Sequence, residues 1–331
     1  MRIFLAGDYR TGSGPANVTK EYIGHLPKGT LFQKMRNKAA RVPEIVFKTL
    51  MADIVIYSGY SKQNIIGLKL ARRLKRPSAY LMHGCVEHEN RINREEDPEM
   101  TRVERSTIEL ADKVYAVSAS FEKWLKDFYP EHADKFDHVT NGIDISLMCG
   151  REGASYRDPF GIISIGGGMP RKKIVNICRA IESLHNKAIK LTVLGAKGAD
   201  SDEINAFPFV ENKGLISHDE AMELLSASAL FIQDSCFESF GLAPLEALMR
   251  GCAVLISKEA GLLEYFGETE PGDLIEDCDD ITEIADKINI LLDSSNNRRL
   301  IASLDTDDAG WDARADELRE KLYEQVKISG K

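Results

Sequence analysis

The sequence predicts an α/β protein built of two doubly wound, Rossmann-like units. Three observations lead there. Short apolar runs alternate with stretches of helical periodicity, the order produced by parallel strands with crossover helices. The series runs twice, interrupted by a loop at Met148–Pro159. A chain of 331 residues is also long enough for two cores of ordinary domain size.

The first series opens on the apolar run Ile3–Ala6, which ends at Gly7 and Asp8. A glycine-rich turn, Gly12–Ser13–Gly14, follows it. Pro15 then starts the helix Ala16–Leu26 at a position that needs no intrahelical donor. Ile54–Tyr57, Ala79–Met82, Val114–Val117 and Phe136–Thr140 read as further strands, and Lys62–Leu74, Met100–Leu110 and Ala119–Phe128 as helices between them. Beyond the loop, Gly161–Ile165, Lys190–Leu194, Leu230–Gln233 and Ala253–Ser257 repeat the strand pattern. Trp311 opens a last helix with Ala315, Leu318, Leu322 and Val326 along one face. The reading divides the chain into residues 1–150, 151–310 and a terminal helix 311–331. Doubly wound sheets bind ligands beyond the carboxyl ends of their strands, so a cleft between the two carboxyl edges is expected to hold the site.

The composition, 43% hydrophobic and 29% charged, is that of a globular protein. No apolar run approaches the roughly 18 residues of a membrane span. MRIFLAGDYR reads as a first buried strand, so a signal peptide is not expected. The six cysteines, Cys85, Cys149, Cys178, Cys236, Cys252 and Cys278, are scattered without a CxxC pair. They point to reduced thiols in cytoplasm, away from a zinc site or a disulfide framework.

Charge is unevenly spread. Residues 1–80 hold 15 Lys and Arg against 4 Asp and Glu, a surplus of +11, which leaves −20 of the net −9 to the other 251 residues. The cations cluster at Lys28, Lys34, Arg36, Lys38, Arg41 and Lys48, and again at Lys69, Arg72, Arg73, Lys75 and Arg76. Val42, Ile45, Val46, Phe47 and Leu50 interleave with the first group. Peripheral contact with an anionic membrane, or with a lipid-diphosphate acceptor, is the expectation. The alternative is a pair of solvated helix faces. Nucleic acid is not expected, since no recognised binding motif accompanies the charge.

The most informative stretch is Phe237–Gly251, FESFGLAPLEALMRG. Glu238 and Glu246 stand eight positions apart across a helix start, and eight residues of helix span roughly 12 Å. Backbone amides near Gly241 and Leu242 lie between them at the positive end of a helix dipole, which suits a diphosphate. A carboxylate at each end and an anion site between match hexose, pyrophosphate and ribose in line. The same segment also reads as a capped helix with surface glutamates.

This Glu–seven residues–Glu segment resembles the donor-site signature of the retaining family 4 glycosyltransferases, which have the GT-B fold. Other stretches fit the resemblance in order: the glycine turn with Gly12 and Gly14, His83–Gly84 after a strand, Val117–Ser118 before a helix, and Asn141–Gly142–Ile143–Asp144. Gly166–Lys173 is similar to the family's Gly-Arg-Leu and Lys-Gly stretch, but Gly167 stands where the arginine is expected. Lys172 matches the lysine, and Arg171 or Lys173 is left to replace the arginine. The segment Gly214–Leu215–Ile216–Ser217–His218 resembles the one around the nucleobase.

The resemblance implies a hexosyltransferase that uses a UDP- or GDP-sugar and acts on a glycan or lipid-linked acceptor, in cell-surface polysaccharide or glycolipid synthesis. It assigns His83, Glu238 and Lys172 to catalysis. It assigns Gly12, Gly14, Arg171, Lys172, Leu215, Glu238, Phe240, Gly241, Leu242 and Glu246 to the donor. It calls for no cofactor and no metal, and it sends the terminal helix back to the first domain. Two rivals stand beside it. A non-catalytic GT-B partner subunit is favoured by Gly167, and a nucleotide-sugar epimerase would need no acceptor. A dinucleotide dehydrogenase is set aside, because the Gly12–Gly14 turn lacks the third glycine of that fingerprint.

Overall fold

The computed structural model describes residues 1–145 and 157–330. Most of the expected loop Met148–Pro159, together with Cys149 and the expected boundary at residue 150, lies outside the described residues. The chain forms two units. The first comprises Met1–Glu87, Glu96–Ile143 and Asp307–Lys331, and the second His88–Glu95 and Asp144–Thr306.

The first unit holds six parallel strands: β1 (Ile3–Gly7), β2 (Leu31–Phe32), β3 (Ile54–Ser58), β4 (Ser78–Met82), β5 (Lys113–Ala116) and β6 (Phe136–His138), in the order β2-β1-β3-β4-β5-β6. The run Ile54–Tyr57 is wholly buried, as expected of a strand covered on both faces. Side-chain caps start the helices around it. Ser61 accepts from the Asn64 N–H, Asp97 from Met100 and Ser118 from Phe121, each stabilising its helix by about 1 kcal/mol.

The terminal helix Trp311–Ile328 belongs to this unit. It buries Trp311, Ala315, Leu318, Leu322 and Val326 and packs on the helix Gly14–His25. The Trp311 and Tyr22 rings meet edge to face with centroids 5.4 Å apart. Lys321 Nζ donates to Asp137 Oδ1 at 2.7 Å and to the His138 carbonyl at 2.6 Å. Gly142 is where this helix comes closest. A Cβ there would stand 2.6 Å from Trp311 Cδ2 and 2.9 Å from its Cα.

The second unit holds six more parallel strands: β7 (Asp158–Ile165), β8 (Lys190–Leu194), β9 (Val210–Gly214), β10 (Ser228–Gln233), β11 (Ala253–Ser257) and β12 (Leu274–Ile275). Their order is β12-β11-β10-β7-β8-β9. Its core packs Ile162, Leu191, Val193, Leu230, Ile232 and Leu255 against Ile177, Ile181, Ile284 and Ile288 of the flanking helices. β7 begins three residues before the expected Gly161. In both units the residues singled out from sequence follow the carboxyl ends of strands, where a parallel sheet leaves loops free to carry chemistry.

Candidate functional site

In the first unit His83 stands one residue past β4. Its Nε2 lies 2.8 Å from Ser58 Oγ, which lies 2.6 Å from Thr19 Oγ1. Thr19 Oγ1 donates to the Pro15 carbonyl at 2.9 Å. Each hydroxyl has one proton to give. Thr19 uses its proton on Pro15, so it accepts from Ser58, and Ser58 in turn accepts from His83. The network therefore assigns the imidazole proton to Nε2 and the lone pair to Nδ1. Burial also lowers the His83 pKa to about 4, which keeps the ring neutral near pH 7. Gly7, at the end of β1, leaves room for this relay. A Cβ there would stand 2.8 Å from Ser58 Cβ and 3.2 Å from Thr19 Cγ2. Sequence reasoning found His83 and missed Ser58 and Thr19, because nothing local links three residues on separate elements.

Gly12 and Gly14 lie on an exposed loop, Gly12 at φ +74°. Asp8 folds that loop by accepting from the Arg10 N–H at 3.2 Å and from Thr11 Oγ1 at 2.6 Å. Glu87 takes a two-pronged contact from Arg105, with both N···O distances 2.6 Å.

In the second unit a buried ionic cluster forms at the carboxyl edge of β7 and β10. Lys172 Nζ donates to Glu238 Oε2, and their side chains are only 13% and 10% exposed. Gln233 Nε2 donates to the same oxygen at 3.2 Å. Arg171 NH1 stands 3.9 Å from it and donates to the Phe237 carbonyl at 3.3 Å. The Arg171 backbone N–H donates to Asn93 Oδ1 at 3.2 Å, and Arg171 Nε lies 3.7 Å from Glu89. Burial pulls the Glu238 pKa up. The charges of Lys172 and Arg171, with the Phe240 N–H, outweigh burial and hold the carboxylate below its ordinary range. For Lys172 burial wins over the pull of Glu238, and its pKa is lowered.

The three positions differ in what surrounds them. Gly167 adopts φ +56°, and a Cβ there would stand 2.1 Å from the Ala196 carbonyl oxygen. No arginine fits at that position. Arg171 turns toward Glu238, whereas Lys173, left-handed at φ 46°, binds Asp279 Oδ1 at 2.8 Å.

The remaining predicted positions divide. Glu246 sits half-buried in the seven-residue helix Ala243–Met249, where burial raises its pKa against the opposing charge of His218. So short a helix carries less of the dipole that the sequence reading invoked. Gly241 takes φ +90° beside Glu238, and Leu242 caps the helix without a side-chain hydrogen bond. Leu215 follows β9 and is 79% exposed, an unusual setting for a leucine. The Phe240 ring is buried, edge to face with Tyr265, and its backbone N–H faces Glu238.

Gln233, Glu89 and Asn93 escaped the sequence reading. Gln233 left one signal, a polar residue closing an apolar strand. Asp234 beside it is 1% exposed, neither carboxylate oxygen has a hydrogen-bond partner, and burial pushes its pKa up to about 8. A cavity of about 930 Å³ in the first unit is lined by Arg2, Asp53, Arg319 and Glu320, at the amino edge of the sheet, and includes none of the predicted site residues. Among the described residues, two groups have metal-ligand spacing, Glu122–Asp137–His138 and Asp277–Cys278–Asp279. Neither contains a predicted site residue.

Comparison with known proteins matches residues 5–147 to the family described as Glycosyltransferase Family 4, and residues 151–303 to Glycosyl transferases group 1. The chain belongs to the family 4 glycosyltransferases of the GT-B fold. A curated relative, the D-inositol 3-phosphate glycosyltransferase of Paenarthrobacter aurescens, is 25% identical to this glycosyltransferase over 91% of the chain and 80% of the relative. Two solved structures share the fold. HepE of Anabaena, in complex with UDP and glucose, superposes with a TM-score of 0.70 at 16% identity, covering 98% of this chain and all of that one. Sucrose-phosphate synthase of Thermosynechococcus elongatus gives a TM-score of 0.67 at 18% identity over the whole of both chains. Against the resemblance, Gly167 stands where arginine is expected.

Proposed function

We propose that this glycosyltransferase moves a hexose from a UDP- or GDP-sugar to a hydroxyl of a glycan or lipid-linked acceptor, with retention at the anomeric carbon and without a metal. The observation that carries the reading is the cluster of Lys172, Arg171 and Glu238 at the carboxyl edge of the second sheet, with Glu246 eight residues further on.

In this reading the donor diphosphate takes Lys172 and Arg171 as its counter-ions, and both cations gain as negative charge builds on the leaving phosphate. Glu238, freed from part of its pairing, faces the hexose and stabilises the positive charge developing at its ring. Glu246 accepts from the ribose hydroxyls, and the exposed Leu215 covers the base. The bond from the anomeric carbon to the phosphate oxygen breaks as the acceptor oxygen bonds to that carbon. The acceptor proton passes to the leaving phosphate, so no protein nucleophile is needed. UDP and glucose bound to HepE, and the glycosyltransferase named among the relatives, support a nucleotide-sugar donor.

One observation favours a second reading, a partner subunit without turnover: the steric block to arginine at Gly167. A thermal-shift screen against UDP, GDP, ADP, dTDP and CMP, with magnesium or EDTA, followed by product analysis with the matching sugar, separates the two. Stabilisation by one nucleoside diphosphate in EDTA, with a glycoside product whose anomeric configuration is retained by NMR, supports transfer. Nucleotide binding without product under any acceptor supports the subunit. An altered nucleotide sugar without acceptor would point to epimerisation.

A further inference from the structure

The outer face of the helices Lys38–Met51 and Lys62–Arg73 takes no part in that chemistry, yet it is built for contact. The first helix turns Ile45 and Thr49 inward and exposes Pro43, Phe47, Leu50 and Met51, a row spaced i, i+4, i+7 and i+8. Of the apolar residues interleaved with the cations, only Phe47 and Leu50 are exposed, at 62% and 48%. Met35 before the helix and Ile66 on the neighbouring helix are exposed as well. Single exposed apolar residues are ordinary, but six on two packed helices and the adjoining turn make a patch.

The charge around the patch has one sign. Between Tyr22 and Val86 the sequence holds two acids, Glu44 and Asp53. Both are spent internally. Glu44 accepts from the N–H groups of Lys34 and Met35 at 2.7 and 2.9 Å and pairs with Lys48, and Asp53 accepts from the Arg2 N–H at 2.6 Å. Lys34, Arg36 and Lys38 are exposed ahead of the apolar row, and Lys69, Arg72, Arg73 and Lys75 on the other helix. Because β3 connects the two helices, their carboxyl ends lie at the same edge of the sheet. Leu50 and Met51 therefore share an end of the layer with Arg72 and Arg73.

We infer that this face docks on an anionic lipid bilayer, Phe47, Leu50 and Met51 entering the headgroup layer and the flanking cations meeting lipid phosphates. A second copy of the chain is the poorer occupant, since a twofold contact would bring this cationic face against itself. The inference stands apart from the transferase reading, because neither helix carries a residue assigned to donor or acceptor.

The test is flotation of the full chain with vesicles of phosphatidylcholine, with and without one third phosphatidylglycerol. Bound protein should rise by about tenfold on the anionic vesicles and fall as salt is added. Phe47→Ser with Leu50→Ser, and separately Arg72→Glu with Arg73→Glu, should each return binding to the neutral-vesicle level while nucleotide stabilisation is kept. Equal binding to both vesicles, or wild-type flotation of the two variants, overturns the inference. So does a dimer in solution that the Phe47→Ser, Leu50→Ser variant dissolves. Loss of flotation with transfer to a water-soluble acceptor intact distinguishes a failed docking surface from a failed transferase assignment.

Discussion

Lys172 and Glu238, 66 residues apart, form a buried ion pair at the carboxyl edge of the second sheet, and Gln233 donates to the same carboxylate oxygen. The charge of Lys172 holds the Glu238 carboxylate below its ordinary range, while burial lowers the Lys172 pKa. Removing one partner leaves the other desolvated and alone, at a cost of about 2–4 kcal/mol for a pair this little exposed. Glu238→Ala and Lys172→Ala should each lose about that much stability, and the double variant should lose less than the sum. Transfer should fall at least about 100-fold in Glu238→Ala while nucleotide binding remains. Chemical denaturation of the cycle and a product assay check both parts. Unchanged transfer in Glu238→Ala would remove its assigned role.

His83 should be silent near its ordinary pKa. Its pKa is about 4 in the fold and 6.5 ordinarily, so the unfolded chain binds the extra proton first as pH falls. The stability tied to the neutral ring is full above 6.5 and drains away down to about 4, amounting to about 1–3 kcal/mol. Denaturation at pH 4.5 and 7.5 should show a smaller difference for His83→Asn than for the parent chain. The relay adds a spectroscopic mark. Nitrogen-15 spectra should place the proton on Nε2, and Ser58→Ala should let the Nδ1 tautomer grow in.

Legibility from sequence followed the range of the interactions. Glu238, Glu246 and Lys172 were legible because each lies in a compact motif beside a strand end. The long parallel strands were legible from their apolar runs. β2 has two residues and β9 reads VENKG with an exposed middle, so neither left a pattern. Asn141–Gly142 entered as part of the family resemblance. The structure gives Gly142 another reason, the Trp311 ring 169 residues further on. Phe240 sits inside the motif with its ring in the core and its backbone at Glu238.

Gly167 shows what a motif comparison leaves out. The position reads as a lost arginine, but its left-handed φ and the Ala196 carbonyl exclude any side chain. Gly167→Arg should therefore not restore a phosphate contact. It should destabilise the second unit by at least about 2 kcal/mol and weaken nucleotide binding. Arg171→Ala, by contrast, should keep the fold and raise the KM for the sugar nucleotide. Thermal melts with nucleotide titrations separate the two effects, and tighter nucleotide binding by Gly167→Arg would refute the steric argument.

Asp234 gives the second unit a pH dependence of the opposite sign to that of His83. Its carboxyl is buried without a hydrogen bond, and burial lifts its pKa from 3.8 to about 8, only partly offset by Lys173 and reinforced by Asp279, Glu283 and Asp277. The folded chain therefore holds a proton that the unfolded chain gives up. The associated stability is full below about 4 and is lost progressively as pH rises to about 8. A swing of that size corresponds to at most about 6 kcal/mol. Asp234→Asn, close in shape and never charged, should match the parent chain near pH 4, exceed it by an increasing margin up to about pH 8, and hold that margin beyond. Melting temperatures at four pH values across that range decide it. A constant offset between the two chains would mean that the carboxyl is ionised in the fold throughout.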